Sequence, residues 1–427
     1  MCRLKIKNVG PVKSVDLELR RLNVIIGPQS SGKSTIAKIV SFCLWLEKDI
    51  LYHQSTHYID NKFIQEQLIS YHRLNGYLSD VSVIEYVSDF IILTIKGLKI
   101  DNIKIQDGML SSAVMSKVSY IPSERNFVTI PNISSLTLES DYMRDFLFEW
   151  LRVRSRFTKQ MSLDVVNLGQ KYYFDTNRGS MIVLENGNEI SLEQASSGLQ
   201  SVIPLLVMVT YNTNWIYDHE PELSFDKHEI LQRNILTRLG INVKDGEELS
   251  DGTKRGLDAL LKTVQSLDGL KMEDPLTSVV DMVRRMTRPH HTHLIIEEPE
   301  QNLYPSTQRD LTLMLVRLLN NNCRSILITT HSPYILSTLN VLLAMSSGNE
   351  DQFGDVVIEG IDADMKLQLD DCAAFYISSD GTIHSIIEKD IPMISGMELD
   401  GVSDWVEKSI ASINAVIYGG KDGVTQK

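Results

Sequence analysis

The sequence predicts an α/β fold in which helices flank a parallel or mixed sheet. Short apolar runs typical of buried strands alternate with segments of helical period, which is the pattern of such folds. The clearest runs are 22–26, 293–296 and 325–330, and helical segments follow each of them. Because ligands bind outside the carboxyl ends of the strands in open α/β sheets, a site is expected at that edge.

Composition indicates a soluble globular protein. The 427 residues carry 42 Lys and Arg against 55 Asp and Glu, with 43% hydrophobic and 23% charged side chains, which excludes fibrous and disordered classes. No stretch approaches the roughly 18 uncharged apolar residues of a membrane span, and the first twenty residues alternate charged and apolar positions. We therefore predict a cytoplasmic protein with no membrane partner. The four cysteines form no CxxC pair, so neither a zinc site nor a disulfide framework is indicated.

Other patterns complete the predicted fold. The opening segment 2–19 alternates as two strands around a turn at Gly10-Pro11, and a hairpin turns at Asp380-Gly381. A helix beginning near Ser196 tolerates Pro204 only if the proline kinks the helix or starts a second segment. The remaining predicted elements are peripheral helices in 51–80, a strand at 118–121, a helix over 139–160, two strands within 171–190 with a turn at Asn186-Gly187, and a closing helix near 402–416.

The segment 27–34, GPQSSGKS, is the strongest motif. It fits the pattern GxxxxGK followed by Ser or Thr, between a predicted strand and a predicted helix. In such a loop the backbone N–H groups bind phosphate oxygens, Lys33 neutralises the β- and γ-phosphates, and the Ser34 hydroxyl holds Mg²⁺. The alternative is a chance glycine-rich turn, but such a turn would not require a strand before it and a helix after it. The predicted nucleotide-binding residues of the loop are Gly27, Ser30, Ser31, Gly32, Lys33, Ser34 and Thr35.

Two adjacent glutamates follow the predicted strand at 293–296. Glu297 is suited to orient the ligands of Mg²⁺, and Glu298 is suited to polarise the water that attacks the γ-phosphate. Adjacent acids at a helix start are also stabilised by the helix dipole alone. The phosphate loop upstream favours the catalytic interpretation, so ATP and Mg²⁺ are the predicted substrate and cofactor.

Two weaker motifs complete the candidate site. The segment 195–200, ASSGLQ, opens a predicted helix whose hydroxyl and N–H groups suit an anionic ligand, although a plain N-cap explains the same letters. The segment 329–333, TTHSP, delivers His331 at the carboxyl end of a strand, where a γ-phosphate sensor would lie. A lone histidine is more often structural, so this prediction depends on the other motifs.

The order of these motifs resembles that of ABC-type ATPases. The segments 27–34, 196–200, 297–305 and 329–333 are similar to the Walker A loop, the signature, the Walker B motif with its D-loop, and the H-loop. Within this superfamily the chain resembles the SMC/RecF/OLD group, and especially small OLD-like bacterial "AAA family ATPases", many of them linked to phage defence. The phrases EPEQNLYP at 298–305 and YIPSER at 120–125 carry that closer resemblance.

The resemblance implies an ABC-type P-loop ATPase head with a mixed sheet flanked by helices, plus helical insertions. Two copies would dimerise head to tail, so that Ser196 and Gly198 of one copy close over the γ-phosphate bound at Lys33 of the other. Glu298 would be the catalytic base and His331 the γ-phosphate switch. The residues assigned to the signature face are Ser196, Ser197, Gly198 and Gln200, and those assigned to Mg²⁺ are Ser34 and Glu297.

The sequence departs from the usual ABC pattern in three ways. Glu297 replaces the more common aspartate, the signature reads SSGLQ instead of SGGQ, and no glutamine is assigned to a Q-loop. Slow turnover is consistent with these departures, although the Glu-Glu pair is itself common among OLD-like proteins. Asn302 would belong to the loop that crosses the dimer.

A long insertion separates the signature from Walker B, which lie close together in a minimal ABC core. The segment 218–288 shows no sustained heptads, so a compact helical subdomain for docking a partner is favoured over a coiled coil. The predicted organisation is an ATPase core at 1–45, 116–217 and 289–346, insertions at 46–115 and 218–288, and a C-terminal hairpin and helix at 347–427.

Two basic clusters leave contact with nucleic acid open. Such a charge run is usually a solvated face, and no aromatic platform interleaves with either cluster. The first cluster alternates as on one face of a strand, and the second leads into the Walker B strand. Their members are Arg152, Arg154, Arg156 and Lys159 in the first, and Arg284, Arg285, Arg288, His290 and His291 in the second.

Two nuclease patterns are disfavoured. The run 356–362, VVIEGID, resembles the first motif of a TOPRIM domain, but no later strand carries the DxD pair that binds metal, so a TOPRIM domain is not expected. The spacing from Arg285 to His290 matches the RxxxxH of HEPN ribonucleases but lacks the polar residue that usually follows the arginine.

We predict an ATP-gated homodimer whose hydrolysis cycle drives or restrains a separate effector protein. Phage defence or DNA maintenance is the setting that the resemblance implies. The alternative is an ATP sensor that hydrolyses poorly and is a scaffold for a separate nuclease or toxin. A subunit of a membrane transporter is disfavoured by the long insertion after the signature.

Overall fold

A six-stranded sheet organises the fold. The computed structural model describes residues 2–219, 225–241, 249–266, 275–321, 323–347, 358, 360–362, 365, 367–388, 391–397 and 409–410. All neighbouring strands of this sheet are parallel except the last hairpin. In the order in which they pair, the strands are β7 (Ser116–Ile121), β12 (His291–Glu297), β13 (Cys323–Thr330), β3 (Leu22–Ile26), β14 (Cys372–Ile377) and β15 (Ile383–Ser385).

A second, antiparallel sheet joins the N-terminus to part of the range predicted as an insertion. Its order is β2 (Val12–Leu19), β1 (Cys2–Val9), β4 (Val83–Val87), β5 (Ile91–Lys96) and β6 (Lys99–Ile105). Apolar residues alternate in β4 and β5, so one face of these strands is buried. The range 46–115 is therefore not a separate insertion, because three of its strands extend the sheet that β1 and β2 begin.

Two further small sheets lie outside these layers. One has the order β11 (Glu189–Ser191), β10 (Gly179–Val183), β9 (Lys171–Asp175) and β8 (Leu163–Asp164). Its β10–β11 turn has Gly187 at a φ of 83°, which confirms the predicted turn at Asn186-Gly187. The other sheet pairs β16 (Ile387–Glu388) with β17 (Met393–Ile394).

The predicted helices after the strands are confirmed. Helix α5 (Ser197–Thr210) continues through the buried Pro204, so this proline does not start a second segment. The closing helix predicted near 402–416 lies outside the described residues except for 409–410. The helices are α1 (Lys33–His53), α2 (Asn61–Ile64), α3 (Met109–Ser112), α4 (Tyr142–Val153), α5 (Ser197–Thr210), α6 (Ile216–Asp218), α7 (Phe225–Arg238), α8 (Asp251–Ser266), α9 (Pro275–Thr287), α10 (Pro305–Leu319) and α11 (Pro333–Ser347).

The core lies on both faces of the six-stranded sheet. Val24 and Ile26 of β3 face an apolar cluster with α4, α5, α10 and α11, while Ile25 faces a cluster with α1 and the antiparallel sheet. This double burial explains why the central strands are continuous apolar runs. Helices α7, α8 and α9 share a third cluster of their own, and Asn234 of α7 donates to the Tyr52 carbonyl of α1 at 2.8 Å. None of the helices in the described ranges combines the length and apolar composition needed to cross a bilayer.

The first basic cluster does not lie on a strand. Arg152 lies in the last turn of helix α4 and Arg154–Arg156 is a 3-10 turn, because the apolar residues of 142–153 recur with helical spacing. The guanidinium of Arg154 lies 4.6 Å from the ring centroid of Phe174 and that of Arg156 lies 4.7 Å from that of Trp215. These arginines therefore pack on aromatic rings of the chain itself.

The tip of the β14–β15 hairpin provides a test of the fold. Gly381 has a φ of 80°, and a Cβ there would lie 2.1 Å from the Pro11 carbonyl oxygen. We expect Gly381→Ala to lower the free energy of unfolding by more than the roughly 1 kcal/mol of the unfavourable φ alone. Gly187→Ala is the matched control, because Gly187 has a φ of 83° with open space around it. Equal losses in urea unfolding of the two variants would contradict the tight packing of this hairpin.

Candidate nucleotide site

Four strands end at one edge of the main sheet and bring the predicted motifs together. The loop 27–34 follows β3, and the parallel register pairs Ile26 with Thr330 of β13 and Thr329 with Glu297 of β12. Strand β7 lies beside β12 and ends at Ile121. The phosphate loop, the paired glutamates and the histidine segment therefore share the carboxyl edge that the sequence predicts.

The phosphate loop has a backbone that only glycine permits at two positions. Gly27 has a φ of 151° and Gly32 a φ of 111°. A Cβ would lie 2.3 Å from the Ile377 carbonyl oxygen at Gly27, and 2.6 Å from a Val12 methyl carbon at Gly32. The loop is thus held closely between β14 and the β1–β2 turn, with helix α1 beginning at its end.

Lys33 lies inside this loop. Its ammonium donates to the carbonyl oxygens of Gly27 and Pro28 at 2.9 and 2.7 Å. Burial lowers the pKa of Lys33, and the nearby carboxylates of Glu298, Glu300 and Glu297 oppose that shift. The ammonium thus faces the acidic side of the site from within the loop.

Ser31 offers a hydrogen-bonding group that the described residues do not satisfy. Its hydroxyl is buried and has no partner there, although buried polar groups are nearly always hydrogen-bonded. A phosphate oxygen in the loop would meet this need. Of the other predicted loop residues, Ser30 and Ser34 are exposed and Thr35 is buried.

Glu297 is almost fully buried at the end of β12. The Tyr120 hydroxyl donates to its carboxylate at 2.7 Å, and the Ser123 hydroxyl lies 3.4 Å from the other oxygen. Burial raises the pKa of Glu297, while hydrogen bonds from Tyr120 and Ser34 and the charge of Lys38 oppose the rise. A serine hydroxyl and a carboxylate side by side suit Mg²⁺, which keeps few protein ligands and takes others from phosphate and water. Within the described residues no cluster of three or more His, Cys, Asp and Glu could hold a metal by itself.

Glu298 has a strained backbone and a half-buried carboxylate. Its φ is 43°, uncommon for a residue with a side chain, and its N–H donates to the Thr329 carbonyl at 2.8 Å. The carboxylate lies 3.5 Å from Nε2 of His331. The hydrogen bond from His331, together with the charges of His331 and Lys33, lowers the pKa of Glu298 against the effect of burial.

Two further residues of this edge were not predicted from the sequence. Glu300 accepts hydrogen bonds from the Thr330 hydroxyl at 2.8 Å and from the His331 N–H at 2.7 Å, so it fixes the turn that carries His331. Arg125 is fully buried and donates to backbone carbonyl oxygens around Glu297 and Glu298. The phrase YIPSER signalled the segment of Arg125, but nothing in the sequence indicated its partners.

The signature segment lies at the start of α5. The Ser196 hydroxyl caps the helix at 3.5 Å from the Leu199 nitrogen, and both Ser196 and Ser197 are exposed. Gly198 packs on the D-loop, since a Cβ there would lie 2.8 Å from the Asn302 carbonyl oxygen. The Gln200 side chain donates to carbonyls of residues 192 and 193 in its own chain. Within one chain, therefore, the segment packs against Asn302 through Gly198, and the Gln200 side chain is bonded to its own chain.

The matches to family models fall on the segments that build this edge. An AAA domain model matches residues 3–144, which contain the phosphate loop, and an AAA ATPase domain model matches residues 280–336, which contain the paired glutamates and His331. No curated protein matches the chain. The chain thus has an α/β fold with a phosphate-loop motif, and two AAA family models each match a part of it that contributes to this edge.

Several solved structures are similar at low identity. The SMC head domain from Thermotoga maritima has 8% identity over 79% of this chain and 90% of that chain, with a TM-score of 0.31. An SMC head bound to the C-winged helix domain of ScpA has 10% identity over the same shares, with a TM-score of 0.34. The dimeric structure of a bacterial ABC transporter cassette has 11% identity over 90% of this chain and 98% of that chain, with a TM-score of 0.26.

The hydrogen bond from Tyr120 provides a test of the site's electrostatics. The bond favours the ionised form of Glu297, so we expect Tyr120→Phe to raise the pKa of Glu297 further and to move its ionisation to higher pH. A pH titration of glutamate carboxyl carbons by NMR measures this shift. Tyr172→Phe removes a buried hydroxyl that bonds Ser180 at 3.1 Å in another sheet and is the control. An unchanged Glu297 titration in Tyr120→Phe would contradict this role of Tyr120.

Proposed function

We propose that the protein binds ATP with Mg²⁺ at the carboxyl edge of the main sheet and hydrolyses the γ-phosphate as an SMC/ABC-like ATPase. The observation that carries this proposal is the convergence of Lys33, Glu297, Glu298 and His331 at the carboxyl ends of adjacent parallel strands. The matches to AAA family models over both segments support it.

Each residue of the edge has a distinct task in this proposal. The loop N–H groups, the Ser31 hydroxyl and the Lys33 ammonium bind the β- and γ-phosphates. Ser34 and Glu297 hold Mg²⁺, which supplies charge neutralisation on the phosphate oxygens. The Lys33 ammonium already lies within the loop, where it donates to the Gly27 and Pro28 carbonyl oxygens, and a phosphate oxygen would replace a carbonyl as its partner.

Glu298 orients the attacking water and accepts its proton. Its lowered pKa keeps the carboxylate ionised at neutral pH, and its partial exposure leaves room for water beside it. His331, next to this carboxylate, contacts the γ-phosphate and responds to its loss. Glu300 holds the His331 backbone and so fixes the distance between the two side chains.

The complete pocket requires a second copy. The hydroxyls of Ser196 and Ser197 are exposed at the N-terminal end of a 14-residue helix, where N–H donors and the helix dipole favour an anion. Within one chain this end packs on Asn302 through Gly198. A head-to-tail homodimer would present it to the γ-phosphate of the second chain.

The cycle of this dimer would control a separate effector protein in the cytoplasm, and no membrane partner is part of the proposal. The resemblance to OLD-like ATPases supports a setting in phage defence or DNA maintenance. Helices α7 to α9, which form their own apolar cluster and contact α1, are the proposed docking body, because movement of α1 would reach them directly. Nucleic acid is a weaker candidate partner, since Arg154 and Arg156 pack on rings of their own chain.

Substitution of the base separates an ATPase from an ATP sensor. We expect Glu298→Gln to keep ATP affinity and to lose turnover by about 100-fold to 10,000-fold, the usual contribution of a general base, while ATP-bound dimers accumulate. Phosphate release and size-exclusion chromatography with ATP measure these effects. Glu185→Gln changes an exposed glutamate elsewhere and controls for charge. Turnover equal to wild type in Glu298→Gln would contradict the catalytic role, and a wild-type chain that binds ATP without measurable turnover would favour the sensor and scaffold.

Mixing two inactive variants tests whether the pocket is shared between copies. Lys33→Ala removes the phosphate lysine and Ser197→Arg blocks the exposed signature face, so each homodimer lacks both sites. In a head-to-tail heterodimer one site keeps the intact loop of one chain and the intact signature of the other, so an equal mixture should regain about a quarter of wild-type turnover by random pairing. Phosphate release from the pure variants and the mixture measures this recovery. A mixture as inactive as its components would contradict the shared pocket.

A further inference from the structure

Arg125 is a buried charge without a direct ionic partner in its hydrogen-bond set. The residue is 0% exposed, and every hydrogen bond described for its guanidinium goes to a backbone carbonyl oxygen. Burying a guanidinium is costly unless its donors are satisfied. The five N–H donors of the arginine are matched by five contacts, so the surrounding backbone satisfies this buried guanidinium.

The contacts of Arg125 join two parts of the proposed ATPase. On one side it donates to the carbonyl oxygens of Glu297 at 2.8 Å, Glu298 at 2.9 Å and Pro299 at 3.4 Å. On the other side its Nε donates to the Ser201 carbonyl of helix α5 at 2.9 Å. The same guanidinium thus holds both the loop of the base and the helix that begins with the signature.

Two additional contacts run parallel to this connection. The Ser201 hydroxyl lies 3.3 Å from the Gln301 side-chain oxygen, and Gly198 packs against the Asn302 carbonyl. Helix α5 and the 298–302 loop therefore form one packed unit near Arg125. Glu298 has a left-handed backbone conformation with a φ of 43°, which persists only if neighbouring contacts hold it. Arg125 provides one of these contacts, because its guanidinium donates to the Glu298 carbonyl oxygen.

We propose that Arg125 is a positioning residue that couples helix α5 to the carboxylate of Glu298. The inference rests on the proposed function and deepens it. When the signature end of α5 meets the nucleotide of the second copy, a displacement of the helix is transmitted through the Ser201 carbonyl and the guanidinium to the Glu298 turn. Arg125 itself touches neither substrate nor metal, so its effect is on the alignment of the base and not on nucleotide binding.

The coupling is tested by a substitution that removes the forked shape of the guanidinium but keeps its charge. Lysine keeps the charge but, as a single ammonium, cannot reach carbonyl groups on both sides, so Arg125→Lys should lower kcat by about tenfold to a hundredfold, the effect of misplacing a reacting group by about 1 Å. ATP affinity and ATP-dependent dimerisation should stay within about threefold of wild type, because neither uses Arg125. Arg154→Lys, at a half-buried arginine packed on Phe174, is the matched control and should retain wild-type kcat.

The outcomes separate this inference from the function on which it rests. Wild-type turnover is measured first, and its absence would contradict the proposed function. Unchanged kcat in Arg125→Lys, with wild-type turnover present, would overturn only the coupling. A parallel loss of ATP affinity and kcat in Arg125→Lys would also overturn it, since that pattern indicates a general structural role. If Arg125→Lys fails to fold, Arg125→Gln is measured instead. Its amide has only two N–H donors on one nitrogen and cannot reach carbonyl oxygens on both sides, so an unchanged kcat in this variant would overturn the coupling.

Discussion

The parallel pairing of β7, β12, β13 and β3 is the constraint on which the proposed site depends. Parallel strands end at a common edge, and their register pairs Thr329 with both Ile25 and Glu297. Residues that are hundreds of positions apart in the chain therefore come together because their strands end at the same edge, and no local sequence pattern indicates this contact. The apolar clusters on both faces of the sheet hold this register, because a shift would expose residues that are now buried.

Buried charge at this edge is balanced by hydrogen bonds. Glu297 receives donors from Tyr120 and Ser34, and Arg125 is surrounded by carbonyl oxygens. Nine buried side-chain atoms of the described residues have no hydrogen-bond partner, and two of them, the Ser31 hydroxyl and one oxygen of Glu300, belong to this edge. Unsatisfied polar groups are costly in a protein interior. Both lie in segments assigned to the nucleotide edge, which is consistent with an edge completed by a ligand.

Local patterns predicted much of this arrangement from the sequence. The phosphate loop, the central strands and the paired glutamates have signals within a few residues, and the Asn186-Gly187 turn was recognised from its letters. The sequence did not predict that the strands in 83–105 join the sheet of β1, because no local pattern indicates which strands pair with each other. The alternation of Arg152, Arg154 and Arg156 predicts a strand, but the apolar residues around them recur with the period of a helix, and the helix forms. Arg125 and Glu300 act through partners far along the chain, which a single sequence does not reveal.

The strained backbone at Glu298 links stability to the proposed chemistry. A left-handed residue with a side chain costs of order 1–3 kcal/mol and persists where surrounding contacts over-determine it. Here the Thr329 carbonyl binds its N–H and Arg125 binds its carbonyl, so both peptide groups of the residue are held from different elements. The conformation also brings the carboxylate to within 3.5 Å of His331. A relaxed backbone at this position would turn the side chain away from that partner, so the cost of the strain is best explained by the alignment that it produces.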